Sequence, residues 1–336
     1  MRNSRPIVVL DSAIPFLGEA LAPYCEVRAR VGAAITAADV SDADALVVRT
    51  RTRCDEALLA SSKVRVVITA TIGFDHIDRD WCEANGIRVV TAAGCNARGV
   101  LQWVSAVLAL LAERDGWRPE ERTLGIVGVG HVGGLVKAYA EAWGFRVLCC
   151  DPPREEREKL GFRSVEEVAR EADIITFHTP LDETTHHLVD ERLLALMKPE
   201  AVVINSSRGA VVDNAALLAD GKRCALDVWE GEPRLNEALL RRAEVATPHV
   251  AGYTAQGKAN ASAIAAEVLA EWFELPLRGW YPSQVALPEP RPIAWEAMCT
   301  SIKHYCDLEG ESERLKREPE TFESQRDHYT YREEYF

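Results

Sequence analysis

The sequence lacks the features that mark membrane, extracellular and nucleic-acid-bound proteins. It has no long apolar run: residues 104–112 reach about half a membrane span and are bounded by Gln102 and Glu113, so no membrane segment is expected. Its 9 cysteines are odd in number and scattered, with no Cys-x-x-Cys and no paired His-x-x-x-His. That argues against a disulfide-stapled scaffold and a structural metal centre, and reduced, mostly buried thiols are expected, with no metal. Basic residues are in deficit, 39 Lys and Arg against 52 Asp and Glu for a net charge of −13. A sequence-independent nucleic-acid binder or an anionic-membrane binder needs the opposite balance. Any anionic substrate must therefore meet a local basic cluster. The first six residues are basic, but the apolar run 7–10 that follows stops at Asp11, too short for a signal peptide, and a cytoplasmic location is expected. No internal repeat or low-complexity tract is found.

What is present is ordinary globular material, 336 residues with 47% apolar and 27% charged side chains, enough for two or three domains. Short β-rich runs recur through the first ninety residues, at 7–10, 45–48, 64–69 and 88–90, with helical or loop segments between them. Continuous apolar strands alternating with helices indicate a parallel sheet covered on both faces. A long apolar helix over 97–114 leads into a second series at 124–127, 146–150, 173–177, 201–205, 224–228 and 244–246, which fits a doubly wound dinucleotide-binding sheet. A last helix over 259–273 is expected to return the chain to the first unit. The cofactor domain is then an insertion, with two crossings serving as a hinge. Beyond it, Pro276, Pro282, Pro288, Pro290 and Pro292 mark a linker around Trp280. The tail is half charged over its last thirty residues, yet Tyr329, Tyr331, Tyr335 and Phe336 make it too aromatic for a merely solvating segment, and contact with a partner is expected.

The run 124–127 enters Gly128-Val129-Gly130-His131-Val132-Gly133, followed by a helical pattern. Gly128 permits the tight turn, Gly130 lets the backbone approach a pyrophosphate, and Gly133 allows close helix-to-strand packing. The helix N-terminus offers unpaired N–H groups to phosphates. The next strand ends at Asp151, about 20 residues on, where a carboxylate binds ribose hydroxyls and repels a 2′-phosphate, so NAD is expected rather than NADP.

Three later segments place polar residues where strands should end: Asn205-Ser206-Ser207-Arg208-Gly209, residues 227–233, and residues 247–252. In an open parallel sheet the carboxyl ends of the strands form the ligand crevice, so Arg208, Asp227, Glu232 and His249 should converge. Taken singly, Arg208 is as readily a surface cation, Glu232 a solvated loop acid and His249 a structural histidine. Together they suit oxidation of a 2-hydroxy acid. A neutral imidazole, His249, takes the hydroxyl proton. Glu232 fixes its tautomer and stabilises the imidazolium. Arg208 binds the carboxylate and polarises the neighbouring oxygen. Asp227 accepts a hydrogen bond from the nicotinamide carboxamide. Arg49-Thr50-Arg51-Thr52-Arg53 concentrates three cations after a strand, and alternation would put them on one side if the segment stayed extended. Arg49, with less weight on Arg51, is the expected phosphate contact; the alternative is a solvated surface.

At these segments the chain resembles the D-isomer-specific 2-hydroxyacid dehydrogenases, on Gly128 to Gly133, Arg208-Gly209, Glu232-Pro233 and Pro248-His249. It is similar, more narrowly, to the branch that acts on 4-phosphoerythronate, on residues 71–78, 93–97, 125–133, 150–154, 177–181, 227–233 and 251–254. The resemblance covers about residues 6–275 and touches the tail. It implies catalytic Arg208, Glu232 and His249, NAD contacts at the glycine loop with His131 and Val132, Asp151, Thr179, Ser206, Ser207, Arg208, Asp227 and Gly252, and substrate contacts at Thr50, Thr71 and Tyr253. The implied fold is α/β with two doubly wound parallel-sheet domains: a Rossmann NAD domain (97–258) inserted into a flavodoxin-like substrate domain (1–96, with a return helix in 259–280), then a short dimerisation segment (281–336). A homodimer oxidising a phosphorylated hydroxy acid in pyridoxal phosphate synthesis is implied. Ser206-Ser207 stands where that branch has Ala-Cys, Gln102-Trp103 where it has Glu-Tyr, and the region after 275 is shorter than in some relatives. The competing readings are another D-2-hydroxyacid dehydrogenase, for 3-phosphoglycerate or glyoxylate, and a non-catalytic NAD-sensing protein.

Overall fold

Apolar runs of four or five residues become strands buried on both faces, as Ala45–Val48 and Val66–Thr69 show, and such strands need helices above and below. The computed structural model describes residues 5–336. Contacts divide it into two units, one of the chain up to Asn96 with Ala255–Pro288, the other of Ala97–Thr254 with Glu289–Phe336. Each is an α/β unit with a single parallel sheet.

The first unit holds β1 (Ile7–Asp11), β2 (Glu26–Arg30), β3 (Ala45–Val48), β4 (Val66–Thr69) and β5 (Arg88–Thr91), in the order β2-β1-β3-β4-β5. Sequence reading expects four strands here, and β2 is the one it misses. This strand lies at the sheet edge, and its charged residues are managed there by ion pairs, Arg28 with Asp42 at 2.5 Å and Arg30 with Asp39 at 2.8 Å. A search for apolar runs passes over such a strand. The helix Ala255–Phe273 begins four residues before the expected start and packs Ala265, Ala266, Leu269 and Ala270 against Val8, Leu10, Val47 and Ile68.

The arginine segment after β3 is not extended as expected. Residues 50–52 turn, and Thr52 is buried with its hydroxyl donating to the Gly32 carbonyl at 2.9 Å. Arg49 instead pairs through Nε with the buried carboxylate of Asp11 at 3.2 Å, while the exposed Arg53 pairs with Asp55 at 2.8 Å. The turn breaks the alternation on which a single row of three arginines depends.

The second unit carries β6 (Thr123–Val127), β7 (Arg146–Cys150), β8 (Ile174–Phe177), β9 (Val202–Asn205), β10 (Arg223–Leu226) and β11 (Val245–Ala246), ordered β11-β10-β9-β8-β6-β7. Strand order reverses between β6 and β8, the place where a doubly wound sheet opens a crevice at its carboxyl edge. The helix Ala97–Asp115 is buried from Gly99 to Ala112, so it needs apolar cover on every side. It shares one core with Leu124, Ile126, Ile204 and Val245 of the sheet and with Met298 and Ile302 of the helix Trp295–Tyr305.

That packing accounts for the aromatic tail. Phe336 is 1% exposed and lies 5.3 Å, ring to ring, from Tyr139, while Trp295 stacks on Trp117 at 6.1 Å. The next helices, Leu308–Arg317 and Phe322–Asp327, bury Leu315 and Phe322 in a second cluster with Leu226, Trp229 and Ala246. The tail aromatics expected to face a partner are therefore largely committed to their own chain. The segment expected to start at 281 also divides, residues up to Pro288 going with the first unit.

No disulfide joins any of the nine cysteines, and seven are buried. Burial pushes the thiols of Cys54, Cys150, Cys224 and Cys306 up to about 12, which keeps them protonated and unreactive. No helix of the described residues is long and apolar enough to cross a membrane.

Candidate active site

The carboxyl edge of the second sheet is built by the loops that follow its strands, and a buried carboxylate ties two of them together. Asp227, directly after β10, is 1% exposed. Its Oδ1 accepts from the Thr247 hydroxyl at 2.6 Å and the Val250 N–H at 2.8 Å, and its Oδ2 accepts from the Ala251 N–H at 2.9 Å. Thr247 accepts in turn from the Trp103 indole N–H at 3.0 Å. The Trp of the unusual Gln102-Trp103 pair is thus the outer end of a chain that runs through Thr247 and Asp227 to the backbone around His249. Sequence reading gives Asp227 to the carboxamide; in the structure both its oxygens hold the His249 loop, and Oδ2, with a single partner among the described residues, keeps a lone pair for that contact. A satisfied buried network of this kind fixes one geometry.

The loop it holds is unusual. His249 has φ +59°, the left-handed region that costs a non-glycine residue about 1–3 kcal/mol, and its N–H donates to the Asp227 carbonyl at 2.8 Å. This strained backbone turns the imidazole toward Glu232, with Nδ1 to Oε1 at 2.8 Å and both side chains about one quarter exposed. Nδ1 donates to the carboxylate, so Nε2 carries the lone pair of the neutral ring. Among the described residues Nε2 has no hydrogen-bond partner. The two residues expected to form the acid–base pair are therefore brought together.

Arg208 follows β9 and caps a short turn at Gly209–Val211. A Cβ on Gly209 would run into the backbone of Trp229 and Glu230, so glycine lets the arginine loop press against the loop that carries Glu232. Asn205 holds the turn by donating to the Arg208 carbonyl at 2.8 Å, and Arg208 Nη1 donates to the Ser207 carbonyl at 2.7 Å. Ser207 is buried and bonds Asn205 at 2.8 Å, a structural role.

The residues at the β6 edge fit a dinucleotide. The helix His131–Trp143 starts at Gly130 with no side-chain cap, leaving its first N–H groups open, and the space beside Gly130 is empty. A Cβ on Gly133 would collide with the Gly128 carbonyl. Val132 is half-buried behind this turn and His131 is exposed. Two buried hydroxyls, Thr179 Oγ1 after β8 and Ser206 Oγ after β9, have no partner among the described residues. Orphaned donors at the strand ends are what a bound dinucleotide would satisfy. Gly252 is half-buried on the loop after His249.

Asp151, at the end of β7, accepts from the Val129 N–H at 2.8 Å and the Arg154 N–H at 3.0 Å, which aims the carboxylate while each oxygen keeps a second lone pair. Asp151→Asn keeps the helix cap but removes the charge. The expected result is a roughly tenfold or larger shift of kcat/KM from NAD toward NADP, read from paired initial rates.

His178, one residue before Thr179, bonds Thr176 Oγ1 at 3.0 Å through Nε2, and burial pushes its pKa down to about 3. Its folded value lies below that of the unfolded chain, so the unfolded state binds the extra proton and stability falls as pH drops from about 6.5 toward 3. His178→Gln should flatten the fall of Tm between pH 7 and pH 5; an unchanged slope would place that acid sensitivity elsewhere.

In the first unit, Thr50 is exposed, and Thr71 Oγ1 donates to the Gly73 carbonyl at 3.0 Å. Residues that sequence reading misses come from the tail. Arg332 is 9% exposed and donates to the carbonyls of Val250 (3.0 Å) and Ala251 (2.6 Å), the two residues whose N–H groups Asp227 holds. Arg326 Nε donates to the Tyr253 hydroxyl at 3.1 Å, and Thr254 bonds Glu334 at 2.7 Å. No local motif announces them in a charged segment. The outlying group His186, His187 and Glu230 brings potential metal-ligand atoms within 4.8 Å of one another, but His187 Nε2 is already taken up by Glu230 at 2.6 Å.

Residues 101–251 match the family model described as the D-isomer specific 2-hydroxyacid dehydrogenase, NAD binding domain. The chain is 48% identical over 263 residues to a protein of Escherichia fergusonii named erythronate-4-phosphate dehydrogenase, covering 75% of this chain and 70% of that one. The same figures hold for the protein of that name in Escherichia coli O1:K1. Among solved structures, D-lactate dehydrogenase of Aquifex aeolicus, complexed with NAD and lactic acid, aligns at TM-score 0.65 and 25% identity, covering 80% of this chain and 95% of that one. NAD-bound 3-phosphoglycerate dehydrogenase of Entamoeba histolytica aligns at TM-score 0.68 and 24% identity, over 81% and 96%, a likeness of fold.

Proposed function

This chain belongs to the erythronate-4-phosphate dehydrogenase family within the D-isomer-specific 2-hydroxyacid dehydrogenases, and from that premise we propose how its residues carry the reaction. It is an NAD-dependent oxidoreductase that converts 4-phospho-D-erythronate to 2-oxo-3-hydroxy-4-phosphobutanoate, a step toward pyridoxal 5′-phosphate. The observation that carries the mechanism is the His249–Glu232 pair, hydrogen-bonded at 2.8 Å with the far ring nitrogen open.

His249 Nε2 takes the proton of the C2 hydroxyl as the C2–H bond breaks. Glu232 holds the ring by Nδ1 and stabilises the imidazolium that results. Arg208 grips the C1 carboxylate and polarises the C2 oxygen as it becomes a carbonyl. Asp227, Thr247 and Trp103 keep the loop of the base still. The dinucleotide, when bound, accepts the hydride. Its pyrophosphate is assigned to Gly128, Gly130, His131, Val132 and Gly133, its ribose to Asp151, and further contacts to Thr179, Ser206 and Gly252. Substrate contacts are assigned to Tyr253 and, in the first unit, to Arg49, Thr50 and Thr71. The same reading carries a cytoplasmic homodimer, for which Tyr305 and Tyr331, 36% and 41% exposed, are candidate contact residues.

The test is isotopic. With 4-phospho-D-erythronate deuterated at C2, the label should appear in the reduced nicotinamide and the rate should fall. Label released to water would mean that the C2 hydrogen leaves as a proton and would reject this mechanism.

A further inference from the structure

The tail brings one more cation to the neighbourhood of the reacting groups. Arg326 lies in the last turn of the short helix Phe322–Asp327, which is anchored by Phe322 at 0% exposure. The strand-like stretch behind it is bonded to the loop after His249: the Arg332 N–H donates to the Tyr253 carbonyl at 3.2 Å, Arg332 and Thr254 form a parallel bridge, and Thr254 donates to Glu334 at 2.7 Å. Arg326 is therefore set by contacts on both sides of it in sequence. Its Nε donates to Tyr253 Oη at 3.1 Å. Tyr253 lies four residues after His249, so this bond sets the guanidinium beside the loop that carries the base.

The rest of that guanidinium is unaccounted for. Among the described residues, Nη1 and Nη2 make no hydrogen bond, and no carboxylate lies within ion-pair distance of Arg326. A half-buried arginine without a carboxylate partner leaves its charge uncompensated, whereas Arg28, Arg49, Arg154 and Arg223, also half-buried, each have one. With Nε committed to Tyr253, the two terminal nitrogens present parallel N–H donors, the fork that fits an oxyanion.

Resting on the reaction proposed above, we propose that Arg326 binds the phosphate of the substrate, with Tyr253 as its support, and so selects phosphorylated hydroxy acids. The substrate carries two anionic ends. Arg208 takes the carboxylate beside the reacting carbon, and the phosphate at C4 needs a second, separate cation. Arg49, the phosphate contact expected from the sequence, is paired with the buried Asp11 at 3.2 Å, and Arg326 supplies the second cation from the C-terminal segment, which thereby becomes part of the substrate site and not only a cover for the core.

The test compares the full-length protein with Arg326→Gln and Arg326→Lys, on 4-phospho-D-erythronate and on unphosphorylated D-erythronate, with NADH affinity and circular dichroism read alongside. Arg326→Gln should lower kcat/KM for the phosphorylated acid roughly 10- to 100-fold, mainly through KM, and leave the unphosphorylated acid within about twofold. Arg326→Lys, keeping the charge but losing the fork, should fall between. Inorganic phosphate should inhibit the wild type in competition with the phosphorylated acid, and Arg326→Gln should weaken that inhibition about tenfold or more. Equal losses on both acids, or undiminished phosphate inhibition in a folded variant, would overturn the proposal and leave Arg326 as a prop for Tyr253. If the wild type oxidises a different phosphorylated acid and Arg326→Gln selectively loses that one, the reaction assignment fails and the phosphate site stands. If phosphoerythronate is the substrate and Arg326→Gln discriminates nothing, the reverse holds.

Discussion

His249→Ala is expected to lower kcat for oxidation roughly 10²- to 10⁴-fold while leaving the affinity for NADH within a few-fold of wild type. The loss follows from removing the only imidazole that Glu232 orients, at 2.8 Å. No neighbouring group replaces it, because the Asp227 carboxylate is buried and holds two backbone N–H groups and a hydroxyl. Cofactor affinity should persist because the glycine turn, the uncapped helix start and the Thr179 and Ser206 hydroxyls belong to other loops. The backbone at φ +59° introduces a complication, since alanine tolerates that region poorly and could let the loop relax. His249→Asn is the control, because asparagine visits left-handed backbone more readily. Both variants should be inactive and both should bind NADH, as read by equilibrium fluorescence. Loss of NADH binding in a folded variant would assign His249 to the cofactor and contradict the mechanism.

Glu232→Gln is expected to cost nearly as much, about 10²- to 10³-fold in kcat. The amide oxygen can still accept from Nδ1, so the ring stays oriented, but the negative charge that stabilises the imidazolium is gone. Glu232 Oε2 is buried without a partner, so the new amide N–H₂ finds no acceptor and the variant should also lose a little stability, about 1–3 kcal/mol. A rate within about twofold of wild type would mean that Glu232 positions the loop without acting on the charge of the base.

Much of this arrangement is legible in the sequence because its causes are local. A glycine turn between a strand and a helix, and polar residues just after buried strands, signal a crevice wherever an open parallel sheet is formed, and the contact of His249 with Glu232 is anticipated that way. The edge strand Glu26–Arg30 escapes because edges tolerate charge and leave no apolar run to detect. The alternation of Arg49, Arg51 and Arg53 presupposes an extended chain, and the turn at 50–52 with buried Thr52 has no strong glycine or proline signal. Asp227 is placed correctly at a strand end, but its partners are backbone N–H groups 23 and 24 residues away, which no spacing rule supplies. The tail is the largest omission. Arg332 and Arg326 read as two charges among many, and only long-range folding turns one into a clamp on the carbonyls of Val250 and Ala251 and brings the other to Tyr253.

Oxidation of 4-phospho-D-erythronate is measured as NADH formation by the purified protein with that acid beside 3-phospho-D-glycerate, D-lactate and D-glycerate, with and without a 2-oxo acid to reoxidise retained NADH. Phosphoerythronate should turn over with kcat/KM well above that of the other three. Preferred turnover of another acid, or NADH binding with no turnover of any, would contradict the proposed reaction.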